Sequence, residues 1–215
     1  MELKNQKRRG AITKDQGRLI DFEGIDGSGK TTQAKMIFDH LSALGISVRL
    51  LREPTTGKYG TVIRDLLSGR IPRRSPEEEL DLFIKDREEN VSKNIQPALE
   101  NKEVVLLDRY YYSTIAYQGA LGIDVEKIRD QNESFAPKPD LVLIFLVSVE
   151  KALSRIRAVR ENGTDNYEKE TFLRKVDEIF RSFKDPEIKY IDSERPLNEV
   201  NHEVKRIIDH FLFGK

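Results

Sequence analysis

The chain contains no cysteine. That absence excludes disulfides, thiolate metal sites and a cysteine nucleophile, and it suits a reducing, cytoplasmic setting. An excess of charge of either sign is also missing. Lys and Arg total 37, Asp and Glu also total 37, and the formal net charge is zero although 34% of residues are charged. General nucleic-acid binders carry a basic excess, so the balance argues against a nucleic-acid partner. No stretch approaches the roughly 20 consecutive apolar residues of a membrane span. The start, Met1 to Gly10, lacks the apolar run of a secretory signal. Residues 1–16 read as a flexible basic tail, with Lys7-Arg8-Arg9 solvated. Internal repeats and Pro/Gly/Ser-rich linkers are absent too. The expectation is one domain over residues 17–215, long enough to bury a full core.

What is present is a phosphate-binding pattern. Gly24-Ile25-Asp26-Gly27-Ser28-Gly29-Lys30-Thr31 fits G-x-x-x-x-G-K-[ST] at every fixed position. A short apolar run, Leu19 to Glu23, precedes it, and an amphipathic helical pattern follows from Lys30 to Leu44. A glycine-rich turn between strand and helix lets backbone N–H groups converge on phosphate oxygens, and the helix N-terminus adds its positive dipole end. Lys30 can then reach the β- and γ-phosphates, and the Thr31 hydroxyl can hold Mg²⁺.

Further strands are expected at Val48 to Leu51, Val104 to Leu107, Leu141 to Val147 and Ile188 to Ile191. Helices are expected at 30–44, 60–68, 77–99, 124–132, 149–160, 168–183 and 197–212, with Pro97 kinking or ending the third. This alternation predicts an α/β fold with a five-stranded parallel sheet and helices on both faces. Ligands of such sheets gather at the carboxyl ends of the strands, where the sharp motifs fall.

Three clusters bear on what receives the phosphoryl group. Asp108-Arg109 follows the third strand, where Asp108 can orient a Mg²⁺-bound water and Arg109 can present a fork of donors; the two can equally form a structural ion pair. Phe83 and Arg87, four apart on a helix, share a face and can address one ligand. Phe83 alone reads as readily as core, and Arg87 as solvated. Arg155, Arg157 and Arg160 end a helix before the polar loop from Glu161 to Glu168. They suit a mobile lid over about residues 155–168, or the preference of a helix C-terminus for cations.

In order along the chain, these residues resemble the thymidylate kinases. The likeness rests on the loop 24–32, Arg52-Glu53-Pro54, Gly60-Thr61-Val62-Ile63-Arg64, Leu82-Phe83 with Asp86-Arg87, and Ile95-Gln96-Pro97-Ala98-Leu99. It continues through Asp108-Arg109-Tyr110, the string Ser113-Thr114-Ile115-Ala116-Tyr117-Gln118-Gly119, and Pro139-Asp140-Leu141. The resemblance spans about residues 18 to 212. It implies a P-loop NTPase-type three-layer sandwich with a lid, a homodimer, and ATP- and Mg²⁺-dependent phosphorylation of dTMP to dTDP for dTTP synthesis.

It also implies residue roles. Gly24, Ile25, Asp26, Gly27, Ser28, Gly29, Lys30, Thr31 and Thr32 would surround ATP. Thr31, and Asp108 through water, would attend the metal. Asp26 would meet the 3′-hydroxyl side of the acceptor, Phe83 would stack on thymine, and Arg87 would donate to its carbonyl oxygen. Arg109 would sit near the acceptor phosphate and the transferred group. Glu53, Tyr59, Arg64 and Ser113 join the dTMP site, Thr114 and Gln118 lie beside the base, and Tyr117 fills the space of a ribose 2′-hydroxyl. Gly27 stands where some members carry an arginine, which assigns that charge to Arg157 and Arg160 of the lid.

Departures from the family pattern are Asn90 for a frequent histidine, Leu146-Val147 for Asp-Val, Phe180 for a tyrosine, and Thr55-Thr56-Gly57-Lys58 after Glu-Pro. Glu53-Pro54 resembles a turn that can carry a cis peptide. No general base is required, because an already ionised phosphate oxygen attacks. His40, His202 and His210 accordingly fall outside the motifs, as surface or packing residues. The alternatives are a kinase for another nucleoside monophosphate or a deoxynucleoside, and a non-catalytic nucleotide-binding switch.

Overall fold

Runs that are apolar at nearly every position become strands buried on both faces. The computed structural model describes residues 17–159 and 166–214. Five strands form one sheet, β1 (Arg18–Glu23), β2 (Val48–Arg52), β3 (Val104–Asp108), β4 (Leu141–Leu146) and β5 (Ile188–Asp192); β3 and β4 are such runs, whereas the edge strands β2 and β5 carry charged residues and are partly exposed. All neighbours pair in parallel, in the order β2-β3-β1-β4-β5. Each strand matches its sequence expectation to one residue at one end.

The helices of the described residues are α1 (Lys30–Ala43), α2 (Lys58–Leu67), α3 (Pro76–Asn90), α4 (Gln96–Glu100), α5 (Tyr111–Ala120), α6 (Val125–Glu133), α7 (Val149–Val159), α8 (Asn166–Ser182) and α9 (Leu197–Phe213). Because successive strand residues point to opposite faces, the core divides in two. Ile20, Phe22, Leu106, Leu143 and Phe145 pack with Ile37 and Leu41 of α1 and Val204 and Ile208 of α9. Leu19, Val105, Leu107, Val142 and Ile144 pack on the other side with Tyr111 and Ile115 of α5, Ala152 of α7 and Val176 of α8. Asp21 and Glu23 alternate onto that second face, and both are fully buried.

Two expectations require correction. The helix expected over 77–99 is interrupted by a π-helical turn, Val91–Ile95, before α4. Pro97 has no N–H to donate and crowds the carbonyl four residues back, and a widened turn relieves that conflict. The start of the long helix is set locally: Pro76 occupies its first turn, and Ser75 and Glu78 form a reciprocal capping box. The second correction is α5, which the periodicity did not signal. Its residues Tyr111 to Ala116 are all buried, so no polar face marks a helical repeat.

Parallel pairing aligns the carboxyl ends of the strands. Arg52 lies opposite Asp108, Asp108 opposite Phe22, and Glu23 opposite Ile144. Neighbours of β1 diverge to either side at the point where the phosphate-binding pattern leaves it, the crevice where ligands bind in such sheets. Among the described residues no helix is long and apolar enough to cross a membrane. The expected tail, the loop residues 161–165 and Arg160 lie outside the described residues.

Candidate active site

The loop from Gly24 to Gly29 joins β1 to α1. Gly29, the N-cap of α1, supplies no side-chain acceptor, and the first turn contains no acidic residue. The amide donors and positive dipole end of α1 therefore face the loop without a protein anion, which is an anion site. Lys30 is 4% exposed. Its Nζ donates to the Ile25 carbonyl at 3.1 Å and stands 4.0 Å from Asp26. Burial, and after it the nearby Arg109 charge, bring Lys30 down to about 8, against the pull of Asp26, Asp108 and Glu23.

One residue further, Thr31 Oγ1 donates to Asp108 Oδ2 at 2.8 Å, and Arg52 Nε lies 3.5 Å from the same oxygen. Asp108 Oδ1 is buried without a hydrogen-bond partner. A hydroxyl and a carboxylate are hard oxygen donors, as Mg²⁺ requires. Among the described residues no group of three or more His, Cys, Asp or Glu is arranged to hold a metal. A cation completed by phosphate oxygens and water fits this donor set better than one held in an all-protein cage.

The outer side of the loop packs on α7. Gly27 has φ +81°, and a Cβ there would lie 2.4 Å from the Ala152 carbonyl oxygen. Any side chain at this position would therefore push α7 away, which is a local reason for glycine. Arg155 donates to the Gly27 carbonyl at 3.1 Å and to the Ser193 carbonyl at 2.9 Å, and Ser193 Oγ donates to the Ser28 carbonyl. These bonds tie the loop to α7 and to the residue after β5, and within the loop the Ser28 N–H donates to the Ile25 carbonyl at 3.2 Å. Arg155 thus belongs to the loop's scaffold, Arg157 is exposed, and Arg160 lies outside the described residues.

Arg109 joins the loop to α5. Its guanidinium donates to Asp26 Oδ1 at 2.6 Å, Ser113 Oγ at 2.7 Å and Tyr117 Oη at 3.3 Å. It also lies 5.0 Å from the centroid of the Tyr117 ring. The Asp26 backbone N–H donates to Tyr117 Oη at 3.1 Å. Burial pushes the Tyr117 phenol up to about 12, with Arg109 opposing the shift. Tyr117 packs edge-on against Phe172 and Phe180 at 6.2 and 6.5 Å. Phe180 therefore contributes a ring to this wall and no hydroxyl.

A second, buried network is built around Arg87, which is 1% exposed. Two of its nitrogens donate to Glu53 Oε2 at 2.6 and 2.9 Å, one also reaches Thr114 Oγ1 at 3.0 Å, and NH1 bonds Asn132 Oδ1. Asn90 donates to the other Glu53 oxygen at 3.0 Å. The Glu53–Pro54 peptide is cis. Asp86 secures the following turn, accepting from the Thr55 N–H at 2.8 Å and the Thr55 hydroxyl at 2.6 Å. Arg64 bonds the Pro54 and Thr55 carbonyls, so its guanidinium braces this turn. Phe83 and Tyr59 are half-buried beside Ile63, Leu66 and Leu82. Gln118 is 3% exposed, and its Oε1 has no partner.

Sequence motifs thus located Lys30, Thr31, Asp108, Arg109, Tyr117, Arg87 and Thr114 in one connected cluster. They missed Glu23, Asp21, Asn132 and Ser193. Glu23 accepts from the Tyr110 N–H at 2.8 Å, the Ser113 N–H at 2.9 Å and the Ser113 hydroxyl. The available signal was an acidic pair at alternate positions of a strand that is otherwise core. His40 lies away from this cluster, bonded to Asp209 of α9 at 3.0 Å.

Comparison with known proteins agrees with this arrangement. A family model described as thymidylate kinase matches residues 22–204. A probable thymidylate kinase of Archaeoglobus fulgidus is 45% identical over 194 residues, covering 90% of this chain and 96% of the relative. The thymidylate kinase of Desulfotalea psychrophila is 45% identical over 193 residues, covering 90% and 95%. That of Brachyspira hyodysenteriae is 41% identical over 193 residues, covering 90% and 94%. With the phosphate loop, the Arg109 junction and the buried Arg87 network gathered at the carboxyl ends of the strands, and likeness along nearly its whole length, the chain belongs to the thymidylate kinase family.

Proposed function

We propose that this protein transfers the γ-phosphoryl group of ATP to dTMP, giving ADP and dTDP, a step toward dTTP. The observation that carries the reading is the Arg109 junction, which ties Asp26 of the phosphate loop to Ser113 and Tyr117 of α5. A donor phosphate held by the loop and an acceptor lying against α5 would meet at this guanidinium.

The loop amides and Lys30 bind the donor phosphates, and Arg109 neutralises charge on the transferring group. Thr31, and Asp108 through water, would hold Mg²⁺, which when bound would screen the phosphate oxygens. Asp26 faces the acceptor sugar, and Tyr117 closes the space a 2′-hydroxyl would need. Phe83 stacks on thymine beside Arg87 and Thr114, and the unpartnered Gln118 Oε1 suits the thymine N3–H. Of the lid expected over about residues 155–168, Arg155 serves the loop's scaffold, and Arg157 and Arg160 are the arginines of a lid that excludes water. Catalysis is positioning and charge neutralisation; the attacking phosphate oxygen is already ionised and needs no base. Residues 17–215 act as one catalytic domain, working as a cytoplasmic homodimer; a solution mass equal to one 24.9 kDa chain by light scattering would reject the dimer.

Binding of the acceptor alone separates this reading from a nucleotide switch. Addition of dTMP without ATP should raise the melting temperature in a saturable way, with UMP giving a smaller shift. No shift with dTMP at millimolar concentration would remove the acceptor site from the account.

A further inference from the structure

We infer that Glu23, at the carboxyl end of β1, is a positioning residue that sets Arg109 for phosphoryl transfer through Ser113. The inference rests on the role proposed above for Arg109.

The starting point is a helix without a cap of its own. Tyr110 is the N-cap of α5 and offers no side-chain acceptor, and the first turn, beginning Tyr111-Tyr112-Ser113, contains no acid. An N-terminus buried in this way needs an acceptor from elsewhere. Glu23 supplies it from 87 residues away: Oε1 accepts both the Tyr110 and the Ser113 N–H groups, at 2.8 and 2.9 Å. Its second oxygen accepts the Ser113 hydroxyl proton. With that proton committed, Ser113 Oγ presents lone pairs outward, and Arg109 NH1 donates to it at 2.7 Å.

The backbone of Arg109 is constrained from the same strand. Its N–H donates to the Phe22 carbonyl at 3.1 Å, one residue before Glu23. Its φ is +76°, a left-handed conformation that non-glycine residues rarely adopt. Such a conformation persists where its surroundings over-determine it. Phe22 and Glu23 fix both sides of it, and the guanidinium is thereby aimed at Asp26 and Tyr117.

Asp21 completes the arrangement. It is fully buried on the same face of β1, and neither of its oxygens accepts a donor. Glu53 already has Arg87 as its counter-ion, and Glu23 has Arg109 close by. Burial, and after it the neighbouring Glu23 and Glu53 charges, push the Asp21 carboxyl well above the usual carboxylate range, with Arg87 opposing. Burial raises Glu23 as well, but Arg109, the Ser113 hydroxyl and the Tyr110 and Ser113 N–H groups oppose the shift, so of the two carboxyls Glu23 is the one whose charge the surrounding donors support.

The test is a double-mutant cycle in kcat at saturating ATP and dTMP. Glu23→Gln should lower kcat by about 10- to 100-fold, with the KM for ATP changed by less than about threefold. In an Arg109→Ala background the same substitution should cause little further loss, because Glu23 acts through Arg109. Ser113→Ala, which leaves both backbone bonds to Glu23 intact, should show the same dependence and decides the matter if Glu23→Gln does not fold. An undiminished effect in the Arg109→Ala background, or wild-type kcat in folded Glu23→Gln, overturns the inference. If Arg109→Ala itself retains normal kcat, the Arg109 assignment fails first, a separable outcome.

Discussion

Lys30 is a buried cation that has to receive a polyanion. Burial and Arg109 bring it down to about 8, so above that pH much of it is neutral. Bound phosphates favour the charged form and raise its pKa, so ATP binding takes up a proton in this range and affinity falls as pH rises above about 8. Calorimetry in buffers of differing ionisation enthalpy should register that uptake; binding without it would contradict a lysine of lowered pKa. Asp21 gives a prediction of opposite origin. Its folded-state value is raised, so from its unfolded value of about 3.9 upward the native state retains a proton that the unfolded chain has lost. Stability contributed at this site is therefore lost as pH rises. Asp21→Asn should gain on the wild type in melting temperature between about pH 5 and pH 7. A gap independent of pH would mean that Asp21 is ordinarily ionised. These residues also mark what the sequence could disclose. Lys30, Thr31 and Asp26 share one short motif whose spacing states its chemistry. Asp21, Glu23 and Asn132 acquire meaning only from partners far along the chain, and Arg87, as readily solvated on its own, is buried by Glu53 and Asn132.

Among the elements, strands were legible nearly to the residue: β3 and β4 are continuous apolar runs covered on both faces, and the edge strands β2 and β5 stand out as short β-rich runs between helical patterns. α5 was not, since its buried aromatic and β-branched residues have no polar face and its cap comes from β1. The break between α3 and α4 follows from Pro97, whose effect was foreseen as a kink or stop and takes the form of a π-turn. The contact between the phosphate loop and α7 is the element-scale feature most open to test. Gly27→Ala combines a positive φ with a 2.4 Å approach to the Ala152 carbonyl. The strain, about 1–3 kcal/mol, should lower the melting temperature by several degrees and raise the KM for ATP as α7 and Arg155 withdraw. An unchanged melting temperature would show that α7 does not bear on the loop.

For the molecule as a whole, parallel pairing puts the phosphate loop and the Asp108-Arg109 motif at the carboxyl ends of neighbouring strands, with side chains of α3 and α5 joined in the buried network beside them. Fold class could be read from the alternation of strand and helix patterns. The acceptor wall could not be assembled that way, because Glu53, Arg87, Thr114 and Asn132 come from four separate segments and share one buried network. On the proposed function, this buried network selects dTMP. The most direct test of that selection is a panel of nucleoside monophosphates and deoxynucleosides, each with ATP and Mg²⁺, followed by ADP release. The account predicts that dTMP gives the highest kcat/KM, with dUMP lower, and UMP, dCMP, dAMP, dGMP and thymidine lower still. A different acceptor in first place, or ADP release that no acceptor stimulates, would contradict it.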